Sequence, residues 1–318
     1  MSDIEKFEQL QTTIKLNPKN FQARRELIML CLDLGFESAA LSHIKYLLNI
    51  FPQDADLYFN TGVCFEKLKE IDKALIAYEK AVELKPDEPD FLYNLALVYE
   101  LKGQLDLAMA NFKKVIFYKN EDANAFFSIG IIYSKKGEHQ TAIKCFKKAI
   151  ELNYSDYFAH FYLAGEYKAI NQYDFALVEY RKVLELSPDY SWAYFNIAQI
   201  YWELNRIDDV IVMLQKTIEK NPKDMEAYKL MTQIFVKDNK IEEALELLLP
   251  IAQEYENGDI YYLLSKIFEL NNDTSSQIDT LELALENQNS LTFDINCVKF
   301  EYNNLKKELA NAGKNKTA

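Results

Sequence analysis

Apolar residues recur in this chain at helical spacing, and that pattern itself returns every 34 residues. Segments 21–54, 55–88, 89–122, 123–156, 157–190, 191–224, 225–257 and 258–291 share one layout, the seventh being one residue short. The eighth residue of each is small: Gly62, Ala96, Gly130, Ala164, Ala198, Thr232 and Ser265, with Ile28 as the exception. The eleventh is aromatic: Phe65, Tyr99, Tyr133, Tyr167, Tyr201, Phe235 and Phe268, with Cys31 in the first segment. The twentieth is alanine in six segments (Ala40, Ala74, Ala108, Ala142, Ala176, Ala244) and Val210 or Gln277 in the others. Each segment therefore predicts two helices of about 13 residues that cross closely where the side chains are small. Aromatics on either side of that crossing fill the wedge.

Punctuation follows the same beat. Pro18, Pro52, Pro86, Pro188 and Pro222 are spaced by multiples of 34 and stop the helix that precedes the next segment at five of these boundaries. Gly35, Gly103 and Gly137 fall at the fifteenth residue, where the first helix needs a left-handed cap. Before the array, residues 2–17 read as a lone helix opened by a Ser2–Glu5 capping box, so 1–20 is expected to cap the array. After it, Ile295, Val298, Tyr302, Leu305 and Leu309 lie on one helix face. Residues 292–311 are therefore expected to seal the last repeat, and 312–318 to be a flexible tail. A short dimerising seam is the less favoured reading of that apolar stripe.

Composition narrows the function. The chain is 49% apolar and contains 20 Phe, 21 Tyr and 2 Trp, which excludes disorder as its main state. Its net charge of −13 excludes nucleic acid or an anionic membrane surface as the expected partner. The opening MSDIEKFEQL lacks the basic and apolar regions of an export signal, so a cytoplasmic location is expected. Cys31, Cys64, Cys145 and Cys297 are then expected to be reduced, mostly buried small hydrophobes. His43, His139 and His160 sit in three different repeats without zinc-ligand spacing, and no phosphate loop or nucleophile elbow is present. No metal, cofactor or catalytic activity is expected.

The segment ADLYFNTGVCFEKLKEIDKALIAYEKAVELKPDE (55–88) resembles a tetratricopeptide repeat, with Tyr58, Gly62, Phe65, Ala74, Tyr78, Ala81 and Pro86 at the marker positions. All eight segments resemble the family. The resemblance implies an all-α, right-handed superhelical solenoid of antiparallel helix pairs, whose first helices line a concave groove. It places the second, fifth, ninth and twelfth residues of each first helix in that groove. The fifth place reads Arg25, Phe59, Tyr93, Phe127, Phe161, Phe195, Lys229 and Tyr262; the second adds Phe158 and Trp192, and the twelfth adds Trp202.

Two readings of this aromatic stripe stand. In one, the rings pack partly against the neighbouring repeat. In the other, they form an apolar trough for a partner segment, strongest where Phe158, Phe161, Trp192, Phe195 and Trp202 are expected to converge. Asp56, Asp90, Glu226 and Asp259 at the second place, with Glu66, Glu100 and Glu269 at the twelfth, are expected to give the trough an acidic rim favouring basic flanks on the ligand. The Lys–Asn pair with which some family members hold a terminal carboxylate is absent from the fifth and ninth places. Asn60, Asn94 and Asn196 match a broken form of the asparagine ladder that others use to bind an extended backbone. The expectation is a protein-binding scaffold that holds a peptide or helical segment of a partner. The alternative is a non-catalytic, substrate-guiding or regulatory subunit of an enzyme complex such as a glycosyltransferase.

Overall fold

The computed structural model describes residues 2–315. Among these the chain forms eighteen α-helices, one 3-10 turn and no strand. The helices group into two compact units, 1–171 and 172–318. The first holds α1 (Asp3–Leu16), α2 (Phe21–Leu34), α3 (Glu37–Leu48), α4 (Ala55–Lys67), α5 (Ile71–Leu84), α6 (Pro89–Leu101), α7 (Leu105–Tyr118), α8 (Ala123–Lys135), α9 (His139–Leu152) and α10 (Tyr157–Ala169). The second holds α11 (Tyr173–Leu186), α12 (Ser191–Glu203), α13 (Ile207–Lys220), α14 (Met225–Lys237), α15 (Ile241–Glu254), α16 (Gly258–Leu270), α17 (Thr274–Glu286) and α18 (Ile295–Asn315).

First helices begin at the first residue of every 34-residue segment, as the small and aromatic pattern requires. The small eighth residue is a packing necessity. A Cβ on Gly62 would lie 2.5 Å from the ring of Tyr78 on α5, and one on Gly130 would lie 2.7 Å from Phe146 on α9. Tyr78, Phe112 and Phe146 are fully buried against these crossings. The twentieth-place alanines Ala40, Ala74, Ala108, Ala142, Ala176 and Ala244 have no exposure, so any larger side chain would push the pair apart.

The fifteenth residue is left-handed in every repeat. Gly35, Gly103 and Gly137 adopt φ of +73° to +75°, and Lys69, Asn171, Asn205, Asn239 and Asn272 hold φ of +56° to +61° at the same place. Asn at four of these sites fits, because its short amide tolerates the left-handed region better than most side chains. Asp54, Asp122, Asp156 and Asp224 cap the next first helix by accepting its early backbone N–H groups.

At the N-terminus, Ser2 Oγ accepts from Glu5 N–H and Glu5 accepts from Ser2 N–H, closing the capping box of α1. At the other end, Val298 is fully buried and Ile295, Tyr302 and Leu305 are half-buried on α18, which packs on α17; Leu309 stays 57% exposed. Helix α18 continues to Asn315, so the expected tail from residue 312 is helical for its first four residues. Residues 316–318 of that expected tail lie outside the described residues.

Candidate functional site

In the first unit, the fifth-place rings interlock with the helices beside them. Phe59 stacks on Phe91 of α6 at 4.6 Å and leans on Tyr78 at 5.5 Å. Tyr93 meets Phe112 edge-on at 5.3 Å, and Phe127 contacts Phe146 at 5.6 Å and Tyr162 at 5.4 Å. These three rings are half-buried and hold neighbouring helices together. Phe161 is also half-buried, with Tyr162 at 5.8 Å. Phe158 differs: it stacks on Tyr157 at 4.2 Å yet stays 43% exposed.

In the second unit, Trp192 is 54% exposed, Trp202 is half-buried and Phe195 is buried. Phe195 thus has little accessible surface. Phe158 and Phe161 belong to one unit and Trp192, Phe195 and Trp202 to the other, so each set stands by itself.

The asparagines are partly engaged within their own helices. Asn94 and Asn196 each donate an amide hydrogen to the backbone carbonyl four residues back, Asp90 and Trp192 respectively, at 2.8 Å. Asn60 is half-buried. Between them in the expected ladder, Ser128 lies 3.5 Å from the hydroxyl of Tyr93.

The acidic rim expected from the sequence is largely neutralised. Glu100 pairs with Lys135 at 2.7 Å, Glu226 with Lys229 at 2.9 Å and Glu269 with Lys266 at 3.2 Å. Glu66 accepts from the hydroxyl of Tyr78, whose phenol is pushed up by burial and then by that carboxylate. Asp259 is not a rim residue at all: it is 1% exposed and sits 2.8 Å from the amine of Lys229. Asp56 and Asp90 remain exposed.

The histidines have structural surroundings. His160 is buried, with Nε2 3.2 Å from the carbonyl of Tyr154, where Tyr58 and Tyr194 at the same repeat place donate to the carbonyls of Pro52 and Pro188. His43 Nδ1 lies 2.9 Å from the Arg24 guanidinium. His139 faces Glu166 at 2.8 Å, and Ser134 donates to the same carboxylate. Glu166 occupies a tenth place that is Leu30, Cys64, Val98, Ile132, Ile200, Ile234 or Ile267 in the other repeats. That break in an apolar series was visible in the sequence, and it marks a buried polar junction between α8, α9 and α10.

Two further features escaped sequence reasoning. An open cleft of about 630 Å³ lies over α4 and α5, lined among others by Tyr58, Thr61, Phe65 and Ile76. Among its lining residues Thr61 stands at a seventh place taken by Leu, Ile or Met in every other repeat. The second feature is the segment between α17 and α18, which lies across first-helix residues of the last two repeats. Among the described residues, no group of His, Cys, Asp or Glu has metal-holding geometry, and no helix is long and apolar enough to cross a membrane.

Tetratricopeptide-repeat family models match residues 65–103, 89–121, 123–153 and 167–234. No curated protein matches the chain in sequence. Among solved structures, YrrB, described as a TPR protein with an unusual peptide-binding site, is 25% identical, covers 59% of this chain and 96% of its own, and superposes with a TM-score of 0.51. A tetratricopeptide repeat protein from Parabacteroides merdae is 16% identical over 79% of this chain and 98% of its own, with a TM-score of 0.55. MamA from Desulfovibrio magneticus is 21% identical over 54% of this chain and 97% of its own, with a TM-score of 0.51. The last two likenesses speak to the fold alone.

Proposed function

The chain is a tetratricopeptide repeat protein, and from that premise we propose that it is a non-catalytic scaffold, working in the cytoplasm, that holds a peptide or helical segment of a partner protein on the face of its first helices. The observation that carries this reading is the exposure of Phe158 and Trp192 at the same repeat place, 43% and 54%. Large aromatics left accessible on the first-helix face act as anchors when a partner covers them. Phe161, one turn along α10 from Phe158, and Trp202, near the far end of the helix that carries Trp192, are half-buried and add apolar surface in their respective units. Phe59, Tyr93 and Phe127 contribute mainly by packing the first helices. The peptide-binding site of YrrB, at 25% identity, supports a peptide as the ligand class. Asn60, Asn94 and Asn196, on α4, α6 and α12, would meet the ligand backbone. Because Glu100, Glu226 and Glu269 are already ion-paired, apolar anchoring outweighs charge in the proposed selection.

A photo-crosslinking residue placed at 158 or 192 tests this. Each position is read by itself: a partner segment should be captured at it, and Phe158→Ala or Trp192→Ala should weaken the complex about tenfold or more, the scale of an interface anchor. A crosslinker at Ile76, exposed on the second-helix face of α5, serves as control. Capture at 76 and none at 158 or 192 would move the binding surface to the opposite face.

A further inference from the structure

Consecutive repeats are joined by short connectors, such as residues 85–88 between α5 and α6. The connector from α17 to α18 is longer, 287–294, and carries a 3-10 turn at Gln288–Ser290. Room for it is made by Gly258, the first residue of α16. A Cβ there would lie 2.6 Å from the carbonyl oxygen of Asn287 and 3.0 Å from Cβ of Leu291. The Gly258 N–H also donates to Ser290 Oγ at 2.8 Å. Every other first helix begins with a residue bearing a side chain: Phe21, Ala55, Pro89, Ala123, Tyr157, Ser191 or Met225.

Past Gly258 the connector is read residue by residue. The backbone N–H of Thr292 donates to Asp259 at 2.6 Å, and its hydroxyl donates to the other carboxylate oxygen at 2.9 Å. Lys229 Nζ donates to the same hydroxyl at 2.7 Å while pairing with Asp259 at 2.8 Å. The hydroxyl is thus engaged both as donor and as acceptor, which a methyl in its place cannot do. Phe293 packs its ring 4.6 Å from that of Tyr262, with the Lys229 amine 5.3 Å from its centroid. Asp259 stands at the second repeat place, and Lys229 and Tyr262 at the fifth, which are the places assigned to ligand contact elsewhere in the array.

We propose that Lys229, Asp259 and Tyr262 form a recognition site for an extended segment in which a hydroxyl residue precedes an aromatic, and that Thr292–Phe293 fills this site in cis. The inference rests on reading the first-helix face as the ligand face, and it names the segment chemistry that the last two repeats take. A tethered segment faces its site at an effective concentration of about millimolar. It therefore excludes an equivalent segment from another protein until it is loosened, and a partner with this motif must displace it.

The test uses the full chain and a labelled synthetic peptide of residues 288–296. The Thr292→Ala/Phe293→Ala variant should bind this peptide at least tenfold more tightly than the wild type, because its own segment no longer competes. Peptides with valine at the threonine position or alanine at the phenylalanine position should lose that gain, as should adding Asp259→Asn to the variant. Should the double variant lose its helical circular dichroism, Gly258→Ala takes its place, since it lifts the connector without touching the site residues. A folded variant of either kind that binds the peptide no better than the wild type overturns the proposal. If crosslinks at 158 and 192 capture a partner while the peptide fails here, this inference alone falls. If those crosslinks fail while the peptide binds, the site stands and the wider groove reading falls.

Discussion

Lys69 holds φ at +61°, the only non-glycine, non-asparagine residue among the eight left-handed positions that end the first helices. A side chain with a full Cβ in that region costs roughly 1–2 kcal/mol, and glycine avoids it. Lys69→Gly should therefore raise stability by about 1 kcal/mol after the added freedom of the unfolded chain is set against it, read as a higher denaturant midpoint at unchanged slope. The three glycines Gly35, Gly103 and Gly137 reveal this requirement in the sequence, because glycine is scarce here and they recur at one place. The other five positions were not legible in the same way. Lys and Asn are common residues, and only the backbone shows them doing what glycine does. The buried state of Asp259 was hidden for a related reason: its partners Thr292 and Lys229 lie some thirty residues away on either side, beyond any local pattern.

Each helix pair is fixed by one close crossing and a few polar ties, and the α2–α3 pair carries a tie that titrates. His43 on α3 is held below the ordinary histidine value of 6.5 by burial first and by the Arg24 guanidinium on α2 second. A base whose value is depressed in the folded chain binds its proton more readily when unfolded. Its contribution to stability is then fully present above pH 6.5 and is lost as pH falls through the lower folded value. Wild type should lose stability between pH 7 and 5 more steeply than His43→Gln, measured by urea unfolding at each pH. Equal losses would show that the pair does not feel the histidine's charge. Helix starts and pairings were readable from the 34-residue beat, since small eighth residues such as Gly62 leave no alternative crossing. The connector at 287–294 was not, although Gly258 at a place otherwise occupied by larger residues was its one local sign. Pro250 inside α15 likewise falls outside the periodic prolines, removing one backbone donor from that helix.

An array whose repeats touch only their neighbours leaves an apolar face at each end, and its solution behaviour depends on how those faces are closed. At the C-terminal end the apolar stripe of α18 is already committed: Val298 is fully buried, while Ile295, Tyr302 and Leu305 are half-buried. Glu301 on the same helix accepts from the Tyr262 hydroxyl and from Lys266 of α16, tying the cap to the last first helix as well. Among its described side chains, the large apolar residues left exposed are Phe300 and Leu309, two isolated positions beside the roughly 20–30 residues a side of a standard interface. Light scattering should therefore give one chain, 37.1 kDa, across a wide concentration range. Removing residues 292–318 should uncover the last helix pair, lowering the thermal midpoint and making the apparent mass rise with concentration. A twofold mass for the intact chain that falls to one chain on the same truncation would reverse the assignment, making α18 a dimerising seam whose buried stripe belongs to a partner copy.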